Sequence, residues 1–312
     1  MDKQKKVKQL VDNLRQAIVG KEEAIELVLV ALLSGGHALL EDVPGVGKTL
    51  LAKSLAASIA GKFQRIQCTP DLLPTDITGT NIWNPSSGEF SFLPGPVFTN
   101  ILLADEINRA TPRTQSALLE VMEETQVTID GVSRPVEMPF FAIATQNPIE
   151  YQGTFPLPEA QLDRFTLSFS LGYPGEAEEI QMLQRSQSGE IGSDRLEPCI
   201  TPEEVLELRK RCGEMKVSDA INQYIVNLVR ATRDDSEITL GASPRGTVAL
   251  QKAAQSLAFL RSMVDGNRTA DYVVPDDVKD LAPYVLGHRI IPTGRRSTTG
   301  IIKRILTEVE VN

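Results

Sequence analysis

Asp42–Thr49 reads DVPGVGKT, preceded by HALLE at His37–Glu41 and followed by LLAKSLAASIA from Leu50. An apolar run, a glycine loop and a helical run in that order make a phosphate cradle. The loop N–H groups converge on an anion, and the helix N-terminus adds partial positive charge. In the pattern G-x-x-x-x-G-K-[ST] the lysine reaches the β- and γ-phosphates and the hydroxyl ligates Mg²⁺, which here means Lys48 and Thr49. Gly45 and Gly47 allow close approach of the backbone, and Gly47 can take φ values that a side chain forbids. Asp42 departs from the pattern, standing where the first glycine is expected. A chance GKT in a surface loop is the plain alternative, and the flanking strand and helix argue against it. The stretch predicts a nucleoside triphosphate site at Asp42, Val43, Pro44, Gly45, Val46, Gly47, Lys48, Thr49 and Leu50.

The bulk properties narrow the class. A chain of 312 residues suits about two domains, each with its own core. The N-terminus MDKQKKVKQL lacks the apolar segment of a signal peptide, and the longest apolar stretch, Leu27–Leu33, is too short to span a bilayer. Cys68, Cys199 and Cys212 form no C-x-x-C pair, so neither a disulfide framework nor a zinc knuckle is expected. His37 and His288 are the only histidines, which argues against a histidine metal site. A cytoplasmic location without membrane insertion is the expectation. The net charge of −9 argues against broad affinity for DNA phosphates.

Helical spacing of Val7, Leu10, Val11, Leu14 and Ile18 predicts a helix over 3–17, with a second over Ala24–Leu33. Apolar runs then alternate with helical segments at His37–Glu41, Phe63–Gln67, Ile101–Asp105, Phe141–Thr145 and Phe165–Leu171. Five such runs predict a parallel five-stranded sheet in an α/β domain. Beyond Tyr173-Pro174-Gly175 only helices are expected, at 202–213, 218–233, 244–264, 275–286 and 297–310. Thr201-Pro202-Glu203-Glu204 is a capping box with proline at the first helical position. The reading is an α/β domain over 1–172 and a linker plus small all-helical domain over 173–312, the linker lying near 172–200. Asn267-Arg268-Thr269 matches a glycosylation sequon, without meaning absent a secretory route.

Other polar residues gather where strands end. NILLADE, Asn100–Glu106, is an apolar strand emerging into two carboxylates. Downstream of a phosphate loop, Asp105 would serve the Mg²⁺ shell and Glu106 would polarise the attacking water. Ligands of open α/β sheets sit at strand carboxyl ends, which puts Asn147 near Glu106; a turn-forming Asn before Pro148 is the bland reading. Arg164 could pair with Asp163. Arg245 follows Ser243, an apparent N-cap, and Pro244; a cation in a first helical turn opposes the macrodipole, which an anionic ligand would offset.

The runs EDVPGVGKT, LLADEINRATPRTQSALLEVMEE, ATQNPIEYQGTFPLPEAQLDRF and GASPRG together resemble the MoxR family of AAA+ ATPases, over nearly the whole chain. The resemblance implies a P-loop αβα sandwich followed by a helical lid, with ATP and Mg²⁺ as ligands. It implies that Asn147 is the sensor that positions water and Arg164 the finger reaching a neighbouring subunit's nucleotide. Arg245 matches the second sensor, coupling the lid to the γ-phosphate, and Ile18-Val19-Gly20 the segment against adenine. It further implies a homo-oligomeric ring, usually hexameric, and protein clients, among them proteins with a von Willebrand factor A domain. Asp71–Phe98, a long Pro/Gly-rich stretch with Trp83, Phe90 and Phe92, resembles the helix-two insert near 70–98. Gln126–Met138 reads as a hairpin turning at Asp130-Gly131. Either could instead be a surface ornament.

Other functions compete with a chaperone-like remodelling ATPase. Related branches include nucleic-acid motors, but the hairpin carries only Arg134 and the insert is acidic or apolar. A magnesium-chelatase-like motor subunit has a similar architecture. Asp76-Ile77-Thr78-Gly79 fits the short D-x-x-G of GTP switches, yet no N-K-x-D stretch exists to read guanine. Gln67, near the second strand's end, could tether Glu106. The basic residues Arg289, Arg295, Arg296, Lys303 and Arg304 are expected on a solvated or subunit-facing surface.

Overall fold

The computed structural model describes residues 3–86, 88–148, 153–187, 196–264 and 271–311. The sequon at Asn267-Arg268-Thr269 and the middle of the expected linker lie outside them. Helices α1 (Lys3–Ala17) and α2 (Glu22–Leu33) precede strand β1 (Ala38–Glu41). Next come α3 (Lys48–Ser58), β2 (Phe63–Gln67), α4 (Pro74–Thr78), and the strands β3 (Gly79–Asn84), β4 (Glu89–Pro94) and β5 (Ile101–Asp105). The chain continues through α5 (Pro112–Glu124), β6 (Gln126–Ile129), β7 (Val132–Pro135), β8 (Phe141–Gln146), α6 (Glu159–Leu162) and β9 (Leu167–Phe169).

The main sheet has the order β2-β5-β8-β1-β9, and every pairing is parallel. Parallel strands need both faces covered, which is why β5 and β8 are apolar without alternation. Leu40, Leu103 and Ile143 join one core with α1, α2 and α3. Leu39, Leu102 and Ala144 join a second core, with Leu118 and Leu119 of α5. Burying side chains of this size contributes about 1.5–3 kcal/mol each. Because β1 lies between β8 and β9, the chain departs from it in one direction and returns on the other side. The loop after β1 therefore opens at the point where strand order reverses, the usual ligand crevice of such sheets.

After β9 come α7 (Glu176–Gln187), α8 (Pro202–Glu214), α9 (Asp219–Asp234), β10 (Ile238–Leu240), α10 (Pro244–Val264), α11 (Pro275–Leu286), β11 (Ile291–Pro292) and α12 (Thr298–Glu308). Helix α8 begins with the expected capping box: the Thr201 hydroxyl accepts from the Glu204 N–H, and the Glu204 carboxylate accepts from the Thr201 N–H. Helix α10 packs on α8, α9 and α11 and also on α1 and α2. The helical part and the N-terminal helices thus share one continuous core.

Three differences from the sequence reading stand out. Helix α7 lies within the stretch expected as linker and has no buried residue, so no inward stripe marked it. The helical part contains one small antiparallel pair, β10–β11. The long Pro/Gly stretch, for which no helix or strand is assigned from the sequence, holds α4 and the β3–β4 hairpin. Trp83 and Phe90 stack edge to face there, 54% and 70% exposed. The β6–β7 hairpin turns at Asp130-Gly131 as expected and touches the first hairpin through Asn81 and Asp130, 2.6 Å apart.

Candidate nucleotide site

The glycine loop links β1 to α3, with Gly45 at φ 88° and Gly47 at φ 100°. A Cβ on either would meet no atom within 4 Å, so the backbone conformation rather than crowding calls for glycine. The Lys48 ammonium donates to the carbonyls of Asp42 (3.2 Å) and Val43 (2.9 Å), at the mouth of the loop. The Asp42 carboxylate is buried and turned the other way. It accepts from the Ser170 hydroxyl (2.6 Å), the Leu171 N–H (2.6 Å) and the Gly172 N–H (3.0 Å). The residue that departs from the loop pattern therefore ties the loop to the segment leaving β9.

A cavity of about 450 Å³ opens beside the loop. Its walls combine Asp42, Pro44, Gly45, Gly47, Lys48, Thr49 and Leu50 with residues from strand ends: Arg65, Gln67, Asp105, Glu106, Thr145 and Asn147. Asn147 thus faces the same space as Glu106. Asp105 accepts from the Thr145 hydroxyl (2.7 Å) and from Arg65 (2.6 Å). Glu106 has a left-handed backbone, φ 56° and ψ 51°, which costs a non-glycine residue about 1–2 kcal/mol. It is held there by its N–H on the Thr145 hydroxyl, 2.9 Å. Strain of this kind gathers at functional positions. The Glu106 carboxylate accepts from Gln67 (2.9 Å) and lies 3.3 Å from the Arg109 guanidinium. Cys68 sits behind the acids; burial, then the charges of Asp105 and Glu106, push its thiol up to about 12, so it stays protonated.

A smaller apolar cavity of about 110 Å³ shares Gly45, Gly47 and Leu50 with the first. Ile18, Val19, Val46, Pro174 and Met182 line it. It is walled as a heterocycle pocket would be, next to the phosphate cradle. Gly20 does not line it: a Cβ there would overlap the Glu178 carboxylate. A larger cleft of about 910 Å³ lies between α2, β9, α11 and α12, and it contains none of the candidate residues. Size alone does not mark the site.

Arg164 and Arg245 do not line the phosphate cavity. They meet at Glu123, near the end of α5, with nitrogen–oxygen distances of 3.0 Å and 2.6 Å. Arg164 does not pair with Asp163 as the sequence suggested; Asp163 is taken by Arg289 at 2.7 Å. Arg289 is not on the surface either. Its side chain is 3% exposed, so the basic C-terminal cluster splits, with Arg296 paired to Glu237 and Arg304 to Asp235, Glu237 and Glu308. Sequence reasoning missed Arg65, Thr145, Glu123 and the Asp163–Arg289 pair. Only Thr145, two residues before Asn147, carried a local signal.

The arrangement fits a nucleotide with Mg²⁺. A cradle of positive-φ glycines, a cation at its mouth, a hydroxyl at Thr49 and a carboxylate at Asp105 supply the donor set for both. A glycine loop after β1, two acids at the end of β5 and a helical part behind define a P-loop ATPase fold. Two family models match the chain. That of the ATPase family associated with various cellular activities covers residues 37–167, and that of the AAA lid domain covers 230–305. The chaperone MoxR1 of Mycobacterium tuberculosis is 43% identical over 90% of this chain and 74% of its own length. The Bacillus subtilis protein YeaC is 47% identical over 96% of this chain and 93% of its own. A crystal structure of a candidate ATPase from Cytophaga hutchinsonii superposes with a TM-score of 0.90 at 39% identity, covering 99% of this chain and 96% of that one. The chain belongs to the MoxR family of AAA+ ATPases.

Proposed function

We propose that this protein hydrolyses ATP and uses the cycle to remodel or assemble protein complexes as a homo-oligomeric ring, hexameric by family resemblance. One observation carries the reading. The phosphate cavity holds Lys48, the Thr49 hydroxyl, two acids, Asn147 and Arg65, the last paired to Asp105, while both candidate arginines stand elsewhere, at Glu123. Arg65 is already engaged by Asp105, and a hydrolytic site of this class uses a free arginine, beyond the loop lysine, for the charge developing in phosphoryl transfer. A second copy of the chain, bringing its Arg164 and Arg245 to this cavity, would provide it.

In this reading Lys48 binds the β- and γ-phosphates, and Thr49 and Asp105 hold Mg²⁺, which when bound neutralises phosphate charge. Asn147 orients the attacking water and Glu106 takes its proton. Gln67 restrains Glu106 between turnovers, supported by the 2.9 Å hydrogen bond between them. Ile18 and Val19 border the base. The chain works as an α/β body over 1–172 and a lid over 173–312, with the β3–β4 hairpin offering Trp83 and Phe90 to a client and the β6–β7 hairpin beside it. The name of the relative MoxR1, a chaperone, supports protein clients, among which the family resemblance suggests proteins with a von Willebrand factor A domain. The Arg134 guanidinium stacks on Phe92 at 4.3 Å.

The test is Glu106→Gln. It is expected to bind ATP as the parent does while turnover falls roughly 10²–10⁴-fold, the usual loss on removing a general base. Unchanged hydrolysis would remove Glu106 from the role.

A further inference from the structure

We infer that Arg289 is the positioning residue that holds Arg164 and Arg245 as one unit for delivery to a neighbouring subunit's nucleotide; this rests on the ring reading above. Arg289 follows α11 in the helical part, yet its guanidinium is spent on the chain around Arg164. It donates to the Asp163 carboxylate (2.7 Å) and to the carbonyls of Asp163 (3.1 Å), Phe165 (2.6 Å), Thr166 (3.1 Å) and Val285. The peptide carbonyls on both sides of Arg164 are therefore fixed by one planar fork, a geometry that lysine cannot reproduce.

The same fork reaches Arg245 through Asp163. The second Asp163 oxygen accepts from the Ser243 hydroxyl (2.7 Å), and that hydroxyl accepts from the Arg245 N–H (3.1 Å). Arg289, Asp163, Ser243 and Arg245 form an unbroken line, and Arg164 is the next residue after Asp163. Gly246 completes the fit: a Cβ there would come within 3.2 Å of the Arg289 Cδ, so the Arg289 stem lies against bare backbone. Surface ion pairs to Glu123 leave the arginine tips exchangeable, while their backbones are anchored in the buried part of the molecule. Arg289 thus ties Arg164 of the α/β body and Arg245 of the lid into one unit.

The experiment uses the full-length assembled protein. Arg289→Lys keeps a positive charge beside Asp163 and removes the fork; Ser243→Ala cuts only the branch to Arg245. Each is expected to melt as a folded protein and to keep parental affinity for a fluorescent ATP analogue and an unchanged KM. The kcat of Arg289→Lys is expected to fall roughly tenfold to 10²-fold, the scale of a misplaced but present catalytic group. Subunit mixing separates positioning from mere glue. An Arg289→Lys subunit keeps its own cavity, and a Glu106→Gln subunit keeps its arginines, so mixed rings should regain hydrolysis several-fold above either parent. Arg164→Ala mixed with Glu106→Gln is the parallel control. Recovery in both mixtures supports the proposal. Recovery in the Arg164→Ala mixture alone, or a parental kcat for Arg289→Lys, overturns it and leaves the ring reading standing. Recovery in neither overturns the ring reading and this proposal with it.

Discussion

The phosphate cavity and the arginine corner at Glu123 are built in opposite ways. The cavity draws on contiguous motifs, each ending a strand of one parallel sheet, so that its residues converge because the strands do. The corner is assembled from α5, the turn before β9, the start of α10 and the turn after α11, residues up to 166 positions apart in the chain. One is set by the sheet and can bind alone. The other hangs on the joint between sheet and helical part, where a shift of either moves it. In the proposed ring, a site split this way would make hydrolysis depend on how the parts sit.

The sharpest way to break the comparison is Arg164→Ala. If the corner acts on another copy's cavity, kcat should fall about 10³–10⁵-fold, the contribution of an arginine finger, while ATP affinity measured by titration stays unchanged. A matching loss of affinity would place Arg164 in its own subunit's binding site instead.

Acid should loosen the corner. His37 accepts from the Ala142 N–H at Nδ1 and donates from Nε2 to the carbonyl of Met122, the residue before Glu123. Burial lowers it from 6.5 to about 4, so it folds as the neutral ring. A histidine depressed in the folded state gives its full stabilisation above pH 6.5 and loses it as pH falls towards 4. At 1.36 kcal/mol per pH unit the loss is about 3 kcal/mol. Burial also holds His288, beside Arg289, well below its ordinary value, which adds to the loss in the same direction. Urea melts between pH 6.5 and 4 should show the fall, reduced in His37→Gln; identical profiles for the two proteins would refute the assignment.

Gln67→Ala is expected to raise client-independent ATP turnover a few-fold, since it removes one hydrogen bond to a charged group at the cavity edge. A drop would make Gln67 a helper and not a restraint. Glu123→Ala should matter least: its carboxylate is 35% exposed, so losing both pairs should shift stability by under about 1 kcal/mol in a chemical melt. A larger loss would mean the corner is structural.

The same contrast decides how much could be read from the chain. DVPGVGKT and NILLADE declare themselves because the chemistry needs neighbours in sequence, and β1, β5 and β8 because a covered parallel sheet leaves no polar alternation. Helices with a buried stripe were legible within a residue or two, α9 within one and α2 and α12 within two. Helix α7 was not, since it buries nothing. Arg289 looked like one of several surface cations, because a salt bridge to a residue 126 positions away leaves no periodicity. Arg65 sits on a strand with mostly exposed residues, and only its pairing with β5 shows that it faces Asp105. Asp42 read as a flaw in the loop until its three acceptor contacts to residues 170–172 gave it a task.

The central claim is that the cavity of one copy is completed by the arginine corner of another. Its most direct test is the specific ATPase rate measured across protein dilution, with assembly size followed by light scattering at each point. The rate per subunit is expected to rise with assembly and to fall at least about 10²-fold in the monomer, where no second copy can supply Arg164. A monomer that hydrolyses ATP at the rate of the assembled protein would contradict it.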